Sequence, residues 1–275
     1  MKKAVEQIKS ATDRVDILDC DAAIGMYTTD APSSTSDKKH ALDRHFAVNN
    51  VGHAILTEGL LPLIKETAKK YGEARIVIMA SNLHFSAPSD VAFASIEEIN
   101  NTPGPTLAYN RSKLGNVLYA KKLDRLLKAE GVTNVFVNSI HPGVVKTAQQ
   151  DGVVEAYQKI VTDTVGEGLI SSAANSALAG ANQLMRMVAE KDSPEGALSA
   201  LFAATAEEVK TSGISGEYIV PNGSIQQADK RTLGADGEAL QDRYWKLVHE
   251  CIEKDLGNVV GADHQDSTAR GNATI

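Results

Sequence analysis

A long helix and a short apolar strand follow each other directly in the stretch "TLAYNRSKLGNVLYAKKLDRLLKAEGVTNVFVNSIHPG", residues 106–143. Apolar residues recur at spacings of three and four between 106 and 131, which is typical of a helix that packs on a core. The helical pattern stops at Gly131, a residue type that often ends helices. The run that follows, 133–143, has the composition of a strand and ends in a Pro-Gly turn. This stretch therefore predicts a helix that leads into a strand.

The same alternation of strand and helix extends along the rest of the chain. Strand-like runs lie at 14–20, 74–81 and 213–223, and helical periodicity over 39–71 separates the first two. Strands that alternate with helices of this length predict the α/β class, with a doubly wound parallel sheet that helices cover on both faces. In such sheets, ligands bind at the carboxyl ends of the strands.

The composition is that of an ordinary globular protein of 275 residues with a net charge of −7. We expect a single domain at residues 1–257 and a polar, disordered tail at 258–275. The acidic balance argues against nucleic acid or an anionic membrane as the main partner. No apolar run spans a membrane and the first helix contains acids, unlike a signal peptide, so we expect a cytoplasmic protein. The histidines and the two distant cysteines form no ligand pattern, so no metal site is expected.

The segment "YNRSK", 109–113, contains the residues with the clearest chemical potential. Tyr109 and Lys113 are four apart, so they share one face of the predicted helix. A nearby ammonium favours the phenolate and should lower the pKa of Tyr109 from its ordinary value of about 10 toward the working range of an acid–base catalyst. The competing interpretation is a surface tyrosine beside a solvated lysine. Of the seven tyrosines, however, only Tyr109 has a lysine four residues later.

Three other features accompany this pair. Ser81 ends a predicted strand, where its hydroxyl could hydrogen-bond a substrate oxygen, and Asn49 lies in a helix although asparagine is a weak helix former. The segment "HPGVVKT", 141–147, directly follows another strand. Each feature has a structural alternative, namely a capping serine, a solvated asparagine and a Pro-Gly turn. Their joint occurrence on these elements favours a catalytic site.

Together these motifs resemble the short-chain dehydrogenase/reductase family. The matching segments are "VNNVG" (48–52), "RIVIMAS" (75–81), "YNRSK" (109–113) and "PGVVKT" (142–147). The likeness covers roughly residues 10–225. The later segment "SPEGALSALFAAT", together with "GISGEYIVPNG", is similar to retinol-dehydrogenase-like and fungal members. The resemblance implies a Rossmann-like fold and an oxidoreductase that transfers hydride between NAD or NADP and a carbonyl or alcohol substrate.

The resemblance also implies a role for each residue of the candidate catalytic set. Tyr109 would be the general acid in carbonyl reduction and the general base in alcohol oxidation. Lys113 would lower the pKa of Tyr109 and hold the ribose hydroxyls of the nicotinamide nucleotide. Ser81 would orient the carbonyl oxygen, and Asn49 would hold a water that links Lys113 to solvent.

Further implications concern the cofactor and the assembly. Val145 and Thr147 would contact the carboxamide end of the nicotinamide, and Asp21 would lie close to the cofactor. In members of the family the two long helices often pair across a dimer axis, so the resemblance allows a homodimer without requiring one. The choice between NAD and NADP stays open.

One feature of the family is missing from the sequence. Members begin with a strand and a glycine-rich turn, TGxxxGxG, which holds the pyrophosphate at a helix N-terminus. Nothing like it occurs here. We therefore expect a sheet that is truncated on its N-terminal side, with the first strands missing, and doubtful binding of the dinucleotide.

The acids of "DILDCDAAI", 16–24, bear on that expectation. Charges such as Asp19 and Asp21 discourage wrong pairing at an exposed strand edge. Alternatively, "CDAA" is a family variation of the "CNAA" that some relatives have. In either case, Asp21 places a carboxylate where an amide is usual and thus near the expected cofactor.

Three functions follow from these observations. The first is an NAD(P)-dependent reductase or dehydrogenase, which the set of Asn49, Ser81, Tyr109 and Lys113 favours. The second is a redox-neutral isomerase, cyclase or dehydratase, which the missing phosphate site favours, and the third is a non-catalytic protein of the same fold. Phe85, Val91 and Phe93 suggest a moderately apolar substrate, although they could equally pack the loop itself. The fungal resemblance hints at secondary metabolism, with a polyketide or terpenoid intermediate as substrate.

Overall fold

The computed structural model describes residues 1–25, 42–143 and 196–254, and these residues contain a five-stranded sheet. Its strands, in spatial order, are β1 (Ile17–Cys20), β2 (Ala74–Met79), β3 (Val135–Ile140), β4 (Tyr218–Val220) and β5 (Ser224–Gln226). The strands β1 to β4 pair in parallel, whereas β5 is antiparallel to β4. The predicted α/β class and parallel sheet are therefore confirmed, with β5 as a departure.

The reversal between β4 and β5 is made by a tight turn. Residues 221–223 form one 3₁₀ turn, in which Asn222 and Gly223 have φ angles of 67° and 73°. Glycine and asparagine are the residues that adopt this left-handed backbone at the lowest cost. The sequence predicted the strand and the turn here, but the three residues of β5 are too few to show a strand periodicity of their own.

Helices cover both faces of the sheet. They are α1 (Lys2–Ala11), α2 (Arg44–Phe46), α3 (His53–Tyr71), α4 (Ile96–Asn100), α5 (Gly104–Ala129), α6 (Leu198–Thr205), α7 (Glu207–Thr211) and α8 (Gly234–Glu253). Side chains alternate along β2, so Ile76 and Ile78 pack with α1, α3, α5 and α8, whereas Val77 packs on the opposite face with α6 and α7. The predicted doubly wound arrangement is confirmed.

The long helix predicted over 39–71 contains an irregular turn. From residue 44 the chain is helical, but residues 47–52 form a π-helical turn between α2 and α3. Such turns insert an extra residue into the helix and are frequent at functional sites. The helix ends as predicted at Gly72, whose φ of 101° places it in the left-handed region.

Strand β1 forms one edge of the sheet and, among the described residues, pairs only with β2. Asp19 and Ile17 of this strand are exposed, whereas Leu18 and Cys20 are buried. Partial burial and the nearby charge of Asp21 raise the pKa of Asp19 to about 6. In the described part of the chain, β1 is thus an edge strand that carries Asp19, with Asp21 directly after it.

Two further expectations concern the whole chain. In residues 1–25, 42–143 and 196–254, we find no helix that is both long and apolar enough to cross a membrane. The tail that we expect to be disordered, 258–275, lies outside the described residues.

Candidate active site

Helix α5 carries Tyr109 and Lys113 on one face, as their spacing predicts. The Lys113 ammonium nitrogen lies 5.4 Å from the centroid of the Tyr109 ring. Lys113 is only 1% exposed, and its Nζ donates a hydrogen bond of 3.0 Å to the main-chain oxygen of Met79, at the end of β2. The competing interpretation of a solvated surface lysine is therefore wrong.

Ser81 lies two residues beyond the end of β2, where it caps the 3₁₀ helix Asn82–Ser86. Its Oγ accepts a hydrogen bond of 3.2 Å from the Leu83 amide, which is the usual contact of a capping serine. The same side chain lies near enough to the Tyr109 phenol to act on it, and it lowers the pKa of that phenol. The predicted capping role of Ser81 is therefore confirmed, and it leaves the side chain close to Tyr109.

Burial sets the protonation states of the tyrosine and the lysine. Burial raises the pKa of Tyr109 to about 12, and the neighbouring Ser81 hydroxyl opposes this effect only in part. Burial also lowers the pKa of Lys113 to about 8, against the attraction of the Asp21 carboxylate. The expected fall in the pKa of Tyr109 is wrong in direction, because the loss of solvent around the phenol dominates.

Asn49 lies in the π-helical turn and joins three elements. Its Oδ1 accepts a hydrogen bond of 2.8 Å from the Ile24 amide, and its Nδ2 donates bonds of 3.1 Å to the Ile24 oxygen and 3.0 Å to Ser112 Oγ. Ser112 precedes Lys113 on α5 and donates to the main-chain oxygen of Tyr109 at 2.7 Å. The side chain therefore fastens the segment after β1 to α5, and both amide hydrogens are used within the protein.

Asp21 follows β1 directly and is exposed to solvent. It acts electrostatically on Lys113 and on Asp19, raising the pKa of each. The predicted cofactor contacts Val145 and Thr147 lie outside the described residues.

A second asparagine network, which the sequence did not predict, lies beside the lysine. Asn116 Nδ2 donates a hydrogen bond of 2.8 Å to the Met79 oxygen that also accepts from Lys113. Asn50 in turn donates to Asn116 Oδ1 and to the main-chain oxygen of Ser112. Both asparagines are buried inside helices, where their low propensity is the same signal that drew attention to Asn49.

A buried histidine also borders the site. His53, at the start of α3, lies 2.8 Å through Nε2 from the main-chain oxygen of Ala22. Because a carbonyl can only accept, Nε2 carries the proton of the neutral ring. Burial and the charge of Lys113 lower the pKa of His53 to about 4. The ring therefore stays neutral beside the lysine at physiological pH.

The described residues fit one end of a nicotinamide dinucleotide. Lys113, Tyr109 and Ser81 present a cation and two hydroxyls at the carboxyl end of β2, suited to a ribose and a substrate oxygen. For the pyrophosphate, the described residues contain no strand that leads through a glycine-rich turn into a helix N-terminus. The fit is therefore to the nicotinamide end alone.

Comparison with known proteins extends this description. Residues 1–158 match the model of the short-chain dehydrogenase family. A Neurospora crassa protein named as the mitochondrial oxidoreductase bli-4 is 45% identical over 148 residues, which are 52% of this chain and 34% of that protein. Human retinol dehydrogenase 14 is 37% identical over 105 residues, which are 38% of this chain and 28% of that protein. The chain thus spans about a third or less of the length of these two relatives.

Among solved structures, an uncharacterized protein from Mycobacterium paratuberculosis superposes with a TM-score of 0.54 at 19% identity. The superposition covers 92% of this chain and 72% of that protein. This likeness concerns the fold alone. The family match covers more than half of the chain, and it includes the strands and helices that bring Ser81, Tyr109 and Lys113 together. The chain therefore belongs to the short-chain dehydrogenase family, in which it resembles the retinol dehydrogenases.

Proposed function

We propose that this protein is an oxidoreductase that uses NAD or NADP to interconvert a carbonyl compound and an alcohol. The observation that carries the proposal is the meeting of Ser81, Tyr109 and Lys113 where β2 ends, since parallel sheets bind ligands at that edge. Membership of the family supports it. The nicotinamide group, when bound, supplies or accepts the hydride, and the residues of this chain handle the proton.

Tyr109 supplies the proton in the direction of reduction. A phenol with a pKa of about 12 stays protonated at neutral pH, so it can donate to the substrate oxygen as negative charge develops there. The Ser81 hydroxyl, which lies close to the phenol, orients the same oxygen. After transfer, the phenolate lies beside the Lys113 ammonium, whose charge stabilises it. In the direction of oxidation, the phenolate accepts the proton of the alcohol.

The remaining roles are proposed on the strength of the resemblance. Lys113 would donate to the ribose hydroxyls, and Val145 and Thr147 would contact the carboxamide. Because the Asn49 side chain is occupied by Ile24 and Ser112, a water of the proton relay would have to bind its main chain. The π-helical turn supports this, because such turns interrupt the regular bonding of the helix.

The substrate class rests on the loop after β2. Phe93 is 1% exposed and packs against Phe46 and Tyr244, so it belongs to the core rather than to a pocket. Phe85 is 48% exposed and lies four residues after Ser81. We propose a moderately apolar carbonyl compound or alcohol, and polyketide or terpenoid intermediates are the first compounds to screen.

A redox-neutral reaction is the second candidate. It is favoured by the lack of a pyrophosphate site in the described residues. In such a reaction, Tyr109 would act as the acid–base without any hydride transfer.

One set of experiments tests these candidates. The full chain is titrated with NADH and with NADPH while nicotinamide fluorescence is followed, and turnover is measured for the wild type and for Tyr109→Phe. We expect binding of one nucleotide and a loss of turnover on the order of 10²- to 10⁴-fold in the variant, the usual contribution of a general acid. Tyr71→Phe is the matched control, because Tyr71 is an exposed tyrosine at the end of α3.

The outcomes separate the functions. Turnover that depends on Tyr109 without a response to either nucleotide at millimolar concentration favours the redox-neutral reaction. Unchanged turnover in Tyr109→Phe removes Tyr109 from the mechanism and contradicts both candidates.

A further inference from the structure

A completely buried histidine lies directly behind the serine of the site. His84 is the third residue after Ser81 and belongs to the same 3₁₀ helix. Its Nδ1 is 2.6 Å from the main-chain oxygen of Ser81, and its Nε2 is 3.1 Å from the main-chain nitrogen of Asp229. The two ring nitrogens thus connect segments that are 145 residues apart in the chain.

The two partners define the protonation of the ring. The Asp229 amide can only donate, so Nε2 must accept and carries no proton. The Ser81 carbonyl can only accept, so the single ring proton resides on Nδ1. His84 is therefore held neutral in one tautomer, and burial lowers its pKa.

The segment after β5 also contacts the loop that follows Ser81 at other points. Arg231 forms an ion pair with Asp229 and donates to the main-chain oxygens of Ala87 and Pro88 at 3.3 and 2.7 Å. Tyr218 of β4 donates to Asn82 Oδ1 at 2.7 Å. The loop that follows Ser81 is thus held against β4 and the segment before α8.

We propose that His84 is a positioning residue for the reaction: by holding the Ser81 main chain against Asp229, it fixes the direction of the Ser81 hydroxyl toward Tyr109. The inference rests on the proposed function, because it assigns a task within that site. His84 itself does not touch the reacting atoms. Its ring accepts from Asp229 through Nε2 and donates to Ser81 through Nδ1 at the same time.

The surroundings of the ring make this position sensitive to acid. The titratable and charged groups that face it are Asp229 and Arg231 from the segment before α8 and His141 from the end of β3. The Tyr218 ring packs edge-on against the imidazole, with 4.7 Å between the ring centroids, and the Phe85 ring packs against it with 4.0 Å between the centroids. Protonation of Nε2 would place two donors opposite each other and break the contact with Asp229. Since the pKa of His84 is lowered, the contact persists at neutral pH and is lost only in acid.

Three substitutions separate the two bonds. In His84→Asn the amide donor occupies the position of Nδ1, so the bond to Ser81 is kept and that to Asp229 is lost. In His84→Gln the longer side chain brings its amide oxygen toward the position of Nε2, so the bond to Asp229 is kept and that to Ser81 is lost. His84→Phe keeps the ring contacts with Phe85 and Tyr218 but makes neither bond. His249→Phe is the matched control, because His249 also has two bonded ring nitrogens but belongs to α8, away from Ser81.

The kinetic test separates positioning from binding. We expect His84→Phe to lower kcat on the order of 10- to 100-fold, the effect of misplacing a catalytic group by about 1 Å, with the KM for the nucleotide unchanged. His84→Asn and His84→Gln, which each keep one of the two bonds, should recover only part of the loss, and His249→Phe should retain the wild-type kcat. Wild-type kcat in His84→Phe overturns the proposal.

A second readout does not depend on activity. The Leu83 amide donates to Ser81 Oγ, so its hydrogen exchange reports the position of that hydroxyl. We expect this amide to exchange faster in His84→Phe than in the wild type and to regain only part of its protection in His84→Asn. Nitrogen-15 spectra of the imidazole should show the neutral tautomer with the proton on Nδ1 at pH 7.

These readouts keep the two hypotheses distinct. If the wild type transfers no hydride with either nucleotide, the proposed function fails, and Leu83 exchange then decides whether His84 positions Ser81. Unchanged Leu83 protection in His84→Phe, or a proton on Nε2 in the wild type, overturns the role of His84 even in an active enzyme.

Discussion

Replacing Lys113 by methionine should stabilise the protein while it destroys the site. Lys113 is 1% exposed, and burial lowers its pKa from 10.5 to about 8. At about 1.4 kcal/mol per pKa unit, this depression corresponds to about 3 kcal/mol of folding free energy that the buried charge costs near neutral pH. Methionine has a similar volume and carries no charge.

The lost hydrogen bond reduces this gain only in part. Lys113 donates one bond to the Met79 oxygen, and that oxygen keeps its second donor, Asn116, in the variant. A hydrogen bond of this kind contributes about 1 kcal/mol net, so Lys113→Met should raise the free energy of unfolding by about 2 kcal/mol at pH 7.

The pH dependence of the free energy of unfolding is an independent test of whether Lys113→Met stabilises the protein. Because the folded-state pKa is below the unfolded one, the unfolded chain binds more protons between pH 8 and 10.5, and wild-type stability rises with pH in that range. The difference between wild type and Lys113→Met should therefore shrink as the pH rises from 8 toward 10.

Urea unfolding of the full chain without nucleotide, at pH 7, 8.5 and 10, measures these differences. Lys121→Met is the control, because Lys121 lies on the same helix but is only partly buried, with its Nζ bonded to the Gly216 oxygen at 2.8 Å. Because burial also lowers the pKa of Lys121, removal of its charge offsets part of the lost hydrogen bond, so the free energy of unfolding of this control should change by less than about 1 kcal/mol. A Lys113→Met protein that is less stable than the wild type at pH 7 would refute the reasoning.

Three further predictions concern stability. Asp19→Asn should be more stable than the wild type by about 1 kcal/mol at pH 7, after allowance for solvent screening. Because the folded-state pKa of Asp19 is raised, the folded wild type loses stability as the pH rises from 3.8 through about 6. Equal stability of the two proteins in urea at pH 7 would contradict this. Both ring nitrogens of His249 face acceptors, the Trp245 oxygen and Glu58, and its pKa is raised. Its contribution to stability is therefore full below pH 6.5 and declines above it. Because Glu58 is the largest cause of the raised pKa, Glu58→Gln should reduce this pH dependence of the melting temperature. Gly59→Ala should lower the free energy of unfolding by about 1 to 2 kcal/mol, because the new methyl would lie 2.7 Å from Val5 of α1. In the background of Val5→Ala, thermal unfolding should show no such loss when Gly59 is replaced by alanine.

The local pattern of the sequence was sufficient for most of the elements. Apolar spacing and terminal glycines predicted α3, α5 and the strands β1 to β3, because these signals arise from each segment's own need to bury one face. The spacing of Tyr109 and Lys113 predicted a shared face for the same reason. Ser81 was predicted at a strand end, and the structure brings it to Tyr109.

The features that the sequence did not predict have a common origin. The π-helical turn, the bonds of Asn49 and the pairing of Asn50 with Asn116 depend on which helices meet, and sequence spacing does not record that. The pKa of Tyr109 was predicted in the wrong direction, because spacing shows the neighbouring cation but not the loss of water around the ring.

The sequence by itself determined the succession of strands and helices and the chemical groups that end at one edge of the sheet, since both follow from local periodicity and residue type. Only the tertiary structure decided how buried those groups are and which distant partners they have. The contact of His84 with Asp229 spans 145 residues, and the depressed pKa of Lys113 comes from the packing around it. Solvent exclusion and long-range hydrogen bonds are properties of the assembled core, and therefore they cannot be read from any single segment.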